Sequence, residues 1–472
     1  MIKFGTGGWR AIIGDEFTKR NVELLTAALC KMMHERDEAK EGICIGYDRR
    51  FLSVEACKWA AQVCAGAGIE CLILDKEAPT PLIMFAVREY NLPYGMAITA
   101  SHNPALYNGI KIFTKGGRDA SKEVTDEIEK HIQQLKCNEI PIVSIEKAEK
   151  QNLVKVINPF NQYIDSILGL VDVDAIKEKN LKIALDPMYG VSRTSLQTLL
   201  LTARCQVEVI HDRHDTLFGG RLPSPTMHTL SALSGFVVDK NCDMGVATDG
   251  DADRIGVIDN EGKFLHPNKL LVLLYYYLLK YREWNGPAVR NNSTTHLLDR
   301  IAESYGEKCY EVPVGFKHIS SKMEEKDALI GGESSGGMTV RGHIPGKDGI
   351  YAAMLLVEME AKTGKTLSQI YDEIEAEYGQ VHMHDDDIKM TNGDKQYLME
   401  LLFVKKQVPK MPFEIEKISY MDGCKIYFKN GGWVICRFSG TEPLLRIYAE
   451  MPDKQDAKTC VQAWCKFLNL EY

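Results

Sequence analysis

The chain has 472 residues, 45% of them hydrophobic and 26% charged, with a formal net charge of −8 at pH 7. That length exceeds one compact unit, and the composition is that of a globular protein with several cores. The acidic balance excludes nucleic-acid binding driven by overall charge, because phosphate backbones attract basic surfaces, but it leaves room for a local basic pocket that takes a small anion.

The opening MIKFGTGGWR has no apolar signal region. The first clear unit follows: GICIGY (42–47) reads as a strand, DRRFLS as a turn, VEACKWAAQVCAGAG as a helix ending in glycine and IECLILD as the next strand. The order returns in LKIALD, PMYGVS, RTSLQTLLLTA and CQVEVIHD, and again, more loosely, in PAVRNN, STTHLLDRIAESYG and EKCYEVPV. Strands alternating with helices predict parallel sheets built from right-handed crossovers, hence three similar α/β domains in tandem. The apolar run LLVLLYYYLL (270–279) is too short to span a bilayer and reads as a buried helix.

Charged joints at 135–158 and 378–395 bound the repeats. Beyond the second, the strand-like runs KIYFK, WVICRF and LLRIYAE and the helical AKTCVQAWCKFLNL predict an α+β domain. The expected divisions are 1–150, 151–260, 261–380 and 381–472. Thirteen cysteines, scattered with no C-x-x-C pair, are expected to be buried thiols in a reducing cytoplasm.

Four motifs carry chemistry. TASHNP (99–104) follows the strand YGMAIT and offers Ser101 and His102. Adjacent residues of an extended segment point to opposite faces, which argues against a serine–histidine pair, and a strand end whose Ser101 and Asn103 cap backbone groups stands as the alternative. TDGDADR (248–254) crowds Asp249, Asp251 and Asp253 between two strands. Their mutual repulsion calls for a cation, and carboxylate oxygens suit Mg²⁺, with a solvated acidic turn as the alternative. An EF-hand is excluded, since Arg254 stands where the loop needs glycine and Asn260 where it needs glutamate.

GGESSGG (331–337) places Glu333 and Ser335 among glycines that let a ligand approach the backbone, suiting sugar hydroxyls, with a flexible loop as the alternative. RFSGTEPLLR (437–446) sets Arg437, Ser439, Gly440, Thr441 and Arg446 in a turn between strands, a pattern for holding phosphate, with a hairpin turn carrying incidental arginines as the alternative. Nucleophile, cation site and anion anchor together describe metal-assisted phosphoryl transfer on a small-molecule sugar phosphate.

With FGTGGWR, GYDRR, TASHNP with YNGIKI, DTLFGG, TDGDADR, VPVGFK, GGESSGG, GKDG and RFSGTEP in this order, the chain resembles the α-D-phosphohexomutase family over nearly its whole length. The resemblance implies four domains around a central cleft. It implies a phosphorylated Ser101 and Mg²⁺ held by Asp249, Asp251, Asp253 and that phosphoserine. It also implies a glucose 1,6-bisphosphate intermediate, serving too as activator, that reorients between two half-reactions. Lys111 and His102 are the implied proton-transfer groups, with a lowered lysine pKa needed for a base, and Arg10 and Arg50 lie near the moving phosphate. Arg254, Gly315, Lys317 and Lys347 join Glu333, Ser335 and the 437–446 loop as implied substrate contacts. Gly337 stands where many mannose- and glucosamine-type members have histidine, Ser334 replaces a second acid, and Ser224 of LPSPT replaces a common glutamate. A glucose-type enzyme is expected, with mannose, pentose and glucosamine mutases as alternatives and a non-catalytic sugar-phosphate binder or a phosphatase as different classes.

Overall fold

The strands form where apolar runs can be buried on both faces: all five residues of Tyr94–Ile98 are buried, as are those of Met244–Thr248. The structure, a computed structural model, describes residues 2–136, 139–438 and 444–470. These build four sheets, the first three mixed and the last wholly antiparallel.

In the first sheet, Ile43–Tyr47 pairs in parallel with both Cys71–Leu74 and Tyr94–Ile98, and Tyr94–Ile98 then turns back antiparallel against Tyr107–Thr114. The second repeats the arrangement with Lys182–Asp186 between Gln206–Val209 and Met244–Thr248, the latter antiparallel to Ile255–Ile258. The third sets Ala288–Asn291 between Cys309–Val312 and Ile330–Gly332, the latter antiparallel to Met338–Val340. The expected parallel sheets are therefore corrected on one side, where each repeat carries an antiparallel hairpin. In all three, the segment joining that hairpin leaves the C-terminal end of a parallel strand, the end where open α/β sheets present ligand-binding loops. Those segments are 99–106, 249–254 and 333–337, three of the four motifs read from the sequence.

Val154–Ile157 lies past the expected division at 150 yet pairs with Cys71–Leu74 as the outer strand of the first sheet. Likewise Phe264–Leu265, past 260, pairs with Ile255–Ile258 in the second. The run 270–279 lies in the helix Pro267–Lys280, buried all round against the helix Gly349–Thr363 in a core shared by the repeats. The C-terminal sheet runs in the order His382–Lys389, Leu444–Met451, Trp433–Phe438, Cys424–Phe428 and Ile415–Ser419, with Lys454–Phe467 packed on its core. Among the described residues every cysteine is a free thiol, buried except for the half-buried Cys309, and no helix is long and apolar enough to cross a membrane.

Candidate active site

Ser101 is fully buried at the head of its hairpin, with a left-handed φ of 53°. Its N–H donates to Thr99 Oγ1 at 2.9 Å, which helps hold that conformation. Arg50 secures the loop from below: its Nη2 donates to the carbonyls of Ser101 and Asn103 at 2.6 Å, and its Nη1 to those of Pro104 and Tyr107 at 2.9 Å. Arg50 thus braces the nucleophile loop from its backbone side. Arg10, on the strand Trp9–Ile12, reaches Asn103 Oδ1 at 2.6 Å.

The turn at Ser101 also corrects the expectation that neighbouring side chains diverge there. His102 Nδ1 lies 3.4 Å from Ser101 Oγ, because a left-handed residue ends the extended geometry in which neighbours point apart. Burial, then the charges of Arg254 and Arg10, hold the His102 imidazole well below its ordinary pKa, so it is neutral.

Ser101 Oγ donates to Asp249 Oδ2 at 2.7 Å, joining the first hairpin to the second. The backbones approach so closely that a Cβ on Gly250 would sit 2.7 Å from the Ser101 carbonyl oxygen. Asp249, Asp251 and Asp253 are all buried and offer ligand atoms within 4.8 Å of one another. Asp251 Oδ2 accepts from Thr80 Oγ1 and Lys111 Nζ at 2.6 Å, and Asp253 Oδ2 from Lys111 Nζ at the same distance. The remaining oxygens, Asp251 Oδ1 and Asp253 Oδ1, are buried without a hydrogen-bond partner. Two orphaned carboxylate oxygens beside a serine hydroxyl form an all-oxygen donor set that fits a small divalent cation.

The charges sort the aspartates. Burial and its two acidic neighbours push Asp249 well above the ordinary carboxylate range. Asp253 is buried too, but Lys111, Lys347 and Arg254 pull it well below that range. Burial alone would lower the Lys111 pKa, yet Asp251 and Asp253 outweigh it and raise the ammonium above its ordinary value. A base would need a lowered lysine pKa, whereas these two carboxylates favour the charged form of Lys111.

The third hairpin meets the second through paired backbone, with Ile255 N–H donating to Gly336 O at 3.1 Å and Arg254 bridged to Gly337. Glu333 Oε1 accepts from Asn291 Nδ2 and from the Gly315 N–H, both at 3.1 Å, so VPVGFK and GGESSGG form one unit. Ser335 is exposed and Lys317 half-buried. Lys347 Nζ crosses to Asp253 Oδ2 at 2.7 Å, so groups from three repeats converge on the acidic loop.

In the last domain Arg437 and Arg446 are direct partners on adjacent strands. Arg437 Nε donates to Asp422 Oδ2 at 2.9 Å, and Arg446 Nε lies 3.6 Å from Asp387 Oδ1. Asp422 Oδ2 also accepts from the Val314 N–H at 3.0 Å, linking this arginine to the loop that holds Glu333. Ser439, Gly440 and Thr441 lie outside the described residues.

Sequence reasoning missed Thr80, Asn291 and Asp422, single polar residues without a motif, whose roles come from elements brought together only by the fold. It also missed Asp119, whose carboxyl burial raises against the pull of Lys347 and Lys111.

The chain matches the phosphoglucomutase/phosphomannomutase descriptions for alpha/beta/alpha domains I, II and III over residues 1–139, 161–262 and 266–378, and for the C-terminal domain over 388–466. It is 31% identical to a phosphoglucomutase/phosphomannomutase of Thermococcus kodakarensis, covering 98% of both chains. It is also 31% identical to a phosphoglucosamine/phosphogalactosamine mutase of Sulfurisphaera tokodaii, covering 97% of both. A crystal structure from Thermus thermophilus, named as a putative phosphomannomutase, superposes with a TM-score of 0.85 at 29% identity over 99% of each chain.

Proposed function

The chain belongs to the phosphoglucomutase/phosphomannomutase family and is a phosphohexomutase, an isomerase that transfers phosphoryl groups, and from that premise we propose that it interconverts glucose 1-phosphate and glucose 6-phosphate through a phosphorylated Ser101. One observation carries the reading: the Ser101 hydroxyl is bonded to Asp249 of the acidic cluster, whose Asp253 is held by Lys111 from the first repeat and Lys347 from the third.

Mg²⁺, held by Asp249, Asp251, Asp253 and an oxygen of the modified Ser101, would neutralise charge on the transferring phosphoryl group. Ser101 gives that group to a free sugar hydroxyl: its Oγ–P bond breaks, a sugar O–P bond forms, and the hydroxyl proton leaves to a base. His102 suits that role, being neutral and beside Oγ. Lys111 serves as a permanent positive charge that steadies Asp251 and Asp253. The resulting glucose 1,6-bisphosphate turns over, and its other phosphate returns to Ser101 by the reverse exchange. Arg437 and Arg446 hold whichever phosphate is not reacting, while Glu333 meets the hydroxyls.

Gly337 favours a glucose-type site over mannose. The amino-sugar name of the Sulfurisphaera relative supports a second reading, a phosphoglucosamine mutase. A coupled assay for glucose 6-phosphate, with Mg²⁺ and trace glucose 1,6-bisphosphate, run beside mannose, glucosamine and ribose 1-phosphates, separates these. Fastest turnover on glucose supports the proposal, and a higher kcat/KM on another sugar replaces it.

A further inference from the structure

Gly337 is a glycine for lack of space and not for backbone freedom. Its φ lies outside the left-handed region, so other residues could adopt its conformation, yet a Cβ built there would meet Lys347 Cδ at 2.3 Å and Cγ at 2.9 Å. Those atoms are the middle of the lysine stem, whose ammonium is fixed 2.7 Å from Asp253 Oδ2. The lysine backbone cannot retreat to make room. Asp348 N–H donates to Met338 O at 3.0 Å, and Gly349 N–H to Ala252 O at 3.2 Å. The Asp348 carboxylate accepts from the Ile350 and Tyr351 N–H groups and from Tyr163 OH, and lies 2.6 Å from His343 Nε2. On the other side, Gly346 is packed so tightly that a Cβ would fall 1.8 Å from Met84 Cε. With the backbone wedged between two hairpins, any side chain at 337 must turn the Lys347 stem away.

We infer that Gly337 is a positioning residue: its missing side chain is the channel through which Lys347 reaches the acidic loop, so residues 337 and 347 act as one unit. The inference rests on the mutase reading for its catalytic consequence but not for its geometry. The sugar loop then takes its nearby positive charge from residue 347 in place of anything at 337, and the two positions cannot be varied independently.

The experiment compares Gly337→Ala, Lys347→Ala and the double variant in two ways. With the preferred sugar phosphate, Gly337→Ala should lower kcat/KM at least about tenfold, and the double variant should match Lys347→Ala within about twofold, since coupled residues are not additive. Independently of turnover, acetylation with a lysine-directed reagent, read by mass spectrometry, should spare the buried Lys347 in the natural protein and modify it in Gly337→Ala. A variant that fails to fold as Gly337→Ala but folds when Lys347→Ala is added also supports the pairing, because the second change empties the crowded space. Equal protection of Lys347 in both proteins, or losses that multiply in the double variant, overturns it. Were no sugar phosphate turned over, the functional reading would fail and the labelling would decide this inference alone.

Discussion

Ser101 Oγ lies 2.7 Å from Asp249 Oδ2, so a hydroxyl and an acid 148 residues apart share one hydrogen bond. That bond requires the first two hairpins to face each other, and it aims the hydroxyl at the acidic cluster. Replacing Ser101 with alanine removes the proposed phosphoryl carrier and leaves the arginines and Glu333 in place. Turnover is expected to fall by about a thousandfold or more, while substrate affinity, measured calorimetrically, stays within about threefold, a change below about 1 kcal/mol. Substantial residual turnover would remove Ser101 from the role.

Asp251 Oδ1 and Asp253 Oδ1 have no hydrogen-bond partner in a buried site, and a divalent cation would satisfy both. Chelation should therefore stop turnover, and Mg²⁺ should restore it. Binding also predicts a thermal shift, since a ligand at about 100 times its Kd stabilises the fold by about 2.7 kcal/mol. Asp253→Asn should diminish that shift. A melting temperature indifferent to Mg²⁺ in the natural protein would exclude the site.

Much of this was legible beforehand because it is written in short, local patterns. Apolar runs between turn residues announced the strands, and clustered aspartates announced a buried acidic site that could hold a cation. What escaped detection depends on geometry between distant segments. No spacing could show that Thr80 meets Asp251, that Asp422 joins Arg437 to Val314, or that Val154–Ile157 completes a sheet begun before it. The antiparallel hairpins were hidden for a different reason: a buried antiparallel strand and a buried parallel strand have the same apolar composition. The Ser101–His102 contact was misjudged because alternation of side chains holds only for extended backbone, and here a single residue turns left-handed.

Glu360 is buried in the helix Gly349–Thr363, where desolvation raises its carboxyl to about 8 against one stabilising bond from the Leu367 N–H. Between its ordinary value of 4.5 and about 8, the folded protein keeps a proton that the unfolded chain has lost. Stability should therefore fall as pH rises through that window, by up to about 1.4 kcal/mol per unit, with no further change from this group above it. Glu360→Gln removes the titration. Melting curves should show the variant gaining on the natural protein from about pH 5 to about pH 8, and parallel curves would refute the assignment.

Arg437 and Arg446 face each other across antiparallel strands, an arrangement in which like charges repel. Asp422 and Asp387 each offset one arginine, from opposite partners. A phosphate there would neutralise both. Inorganic phosphate should consequently raise the melting temperature of the natural protein, and do so less in Arg437→Ala. In turnover, losing a charge-assisted contact worth about 1.5–3 kcal/mol should raise KM about ten- to hundredfold. kcat should change less, since the non-reacting phosphate is held alike before and during transfer. Arg437→Lys keeps the charge but loses the planar fork and should fall between the two. A fall in kcat at unchanged KM would instead place Arg437 at the reacting phosphate.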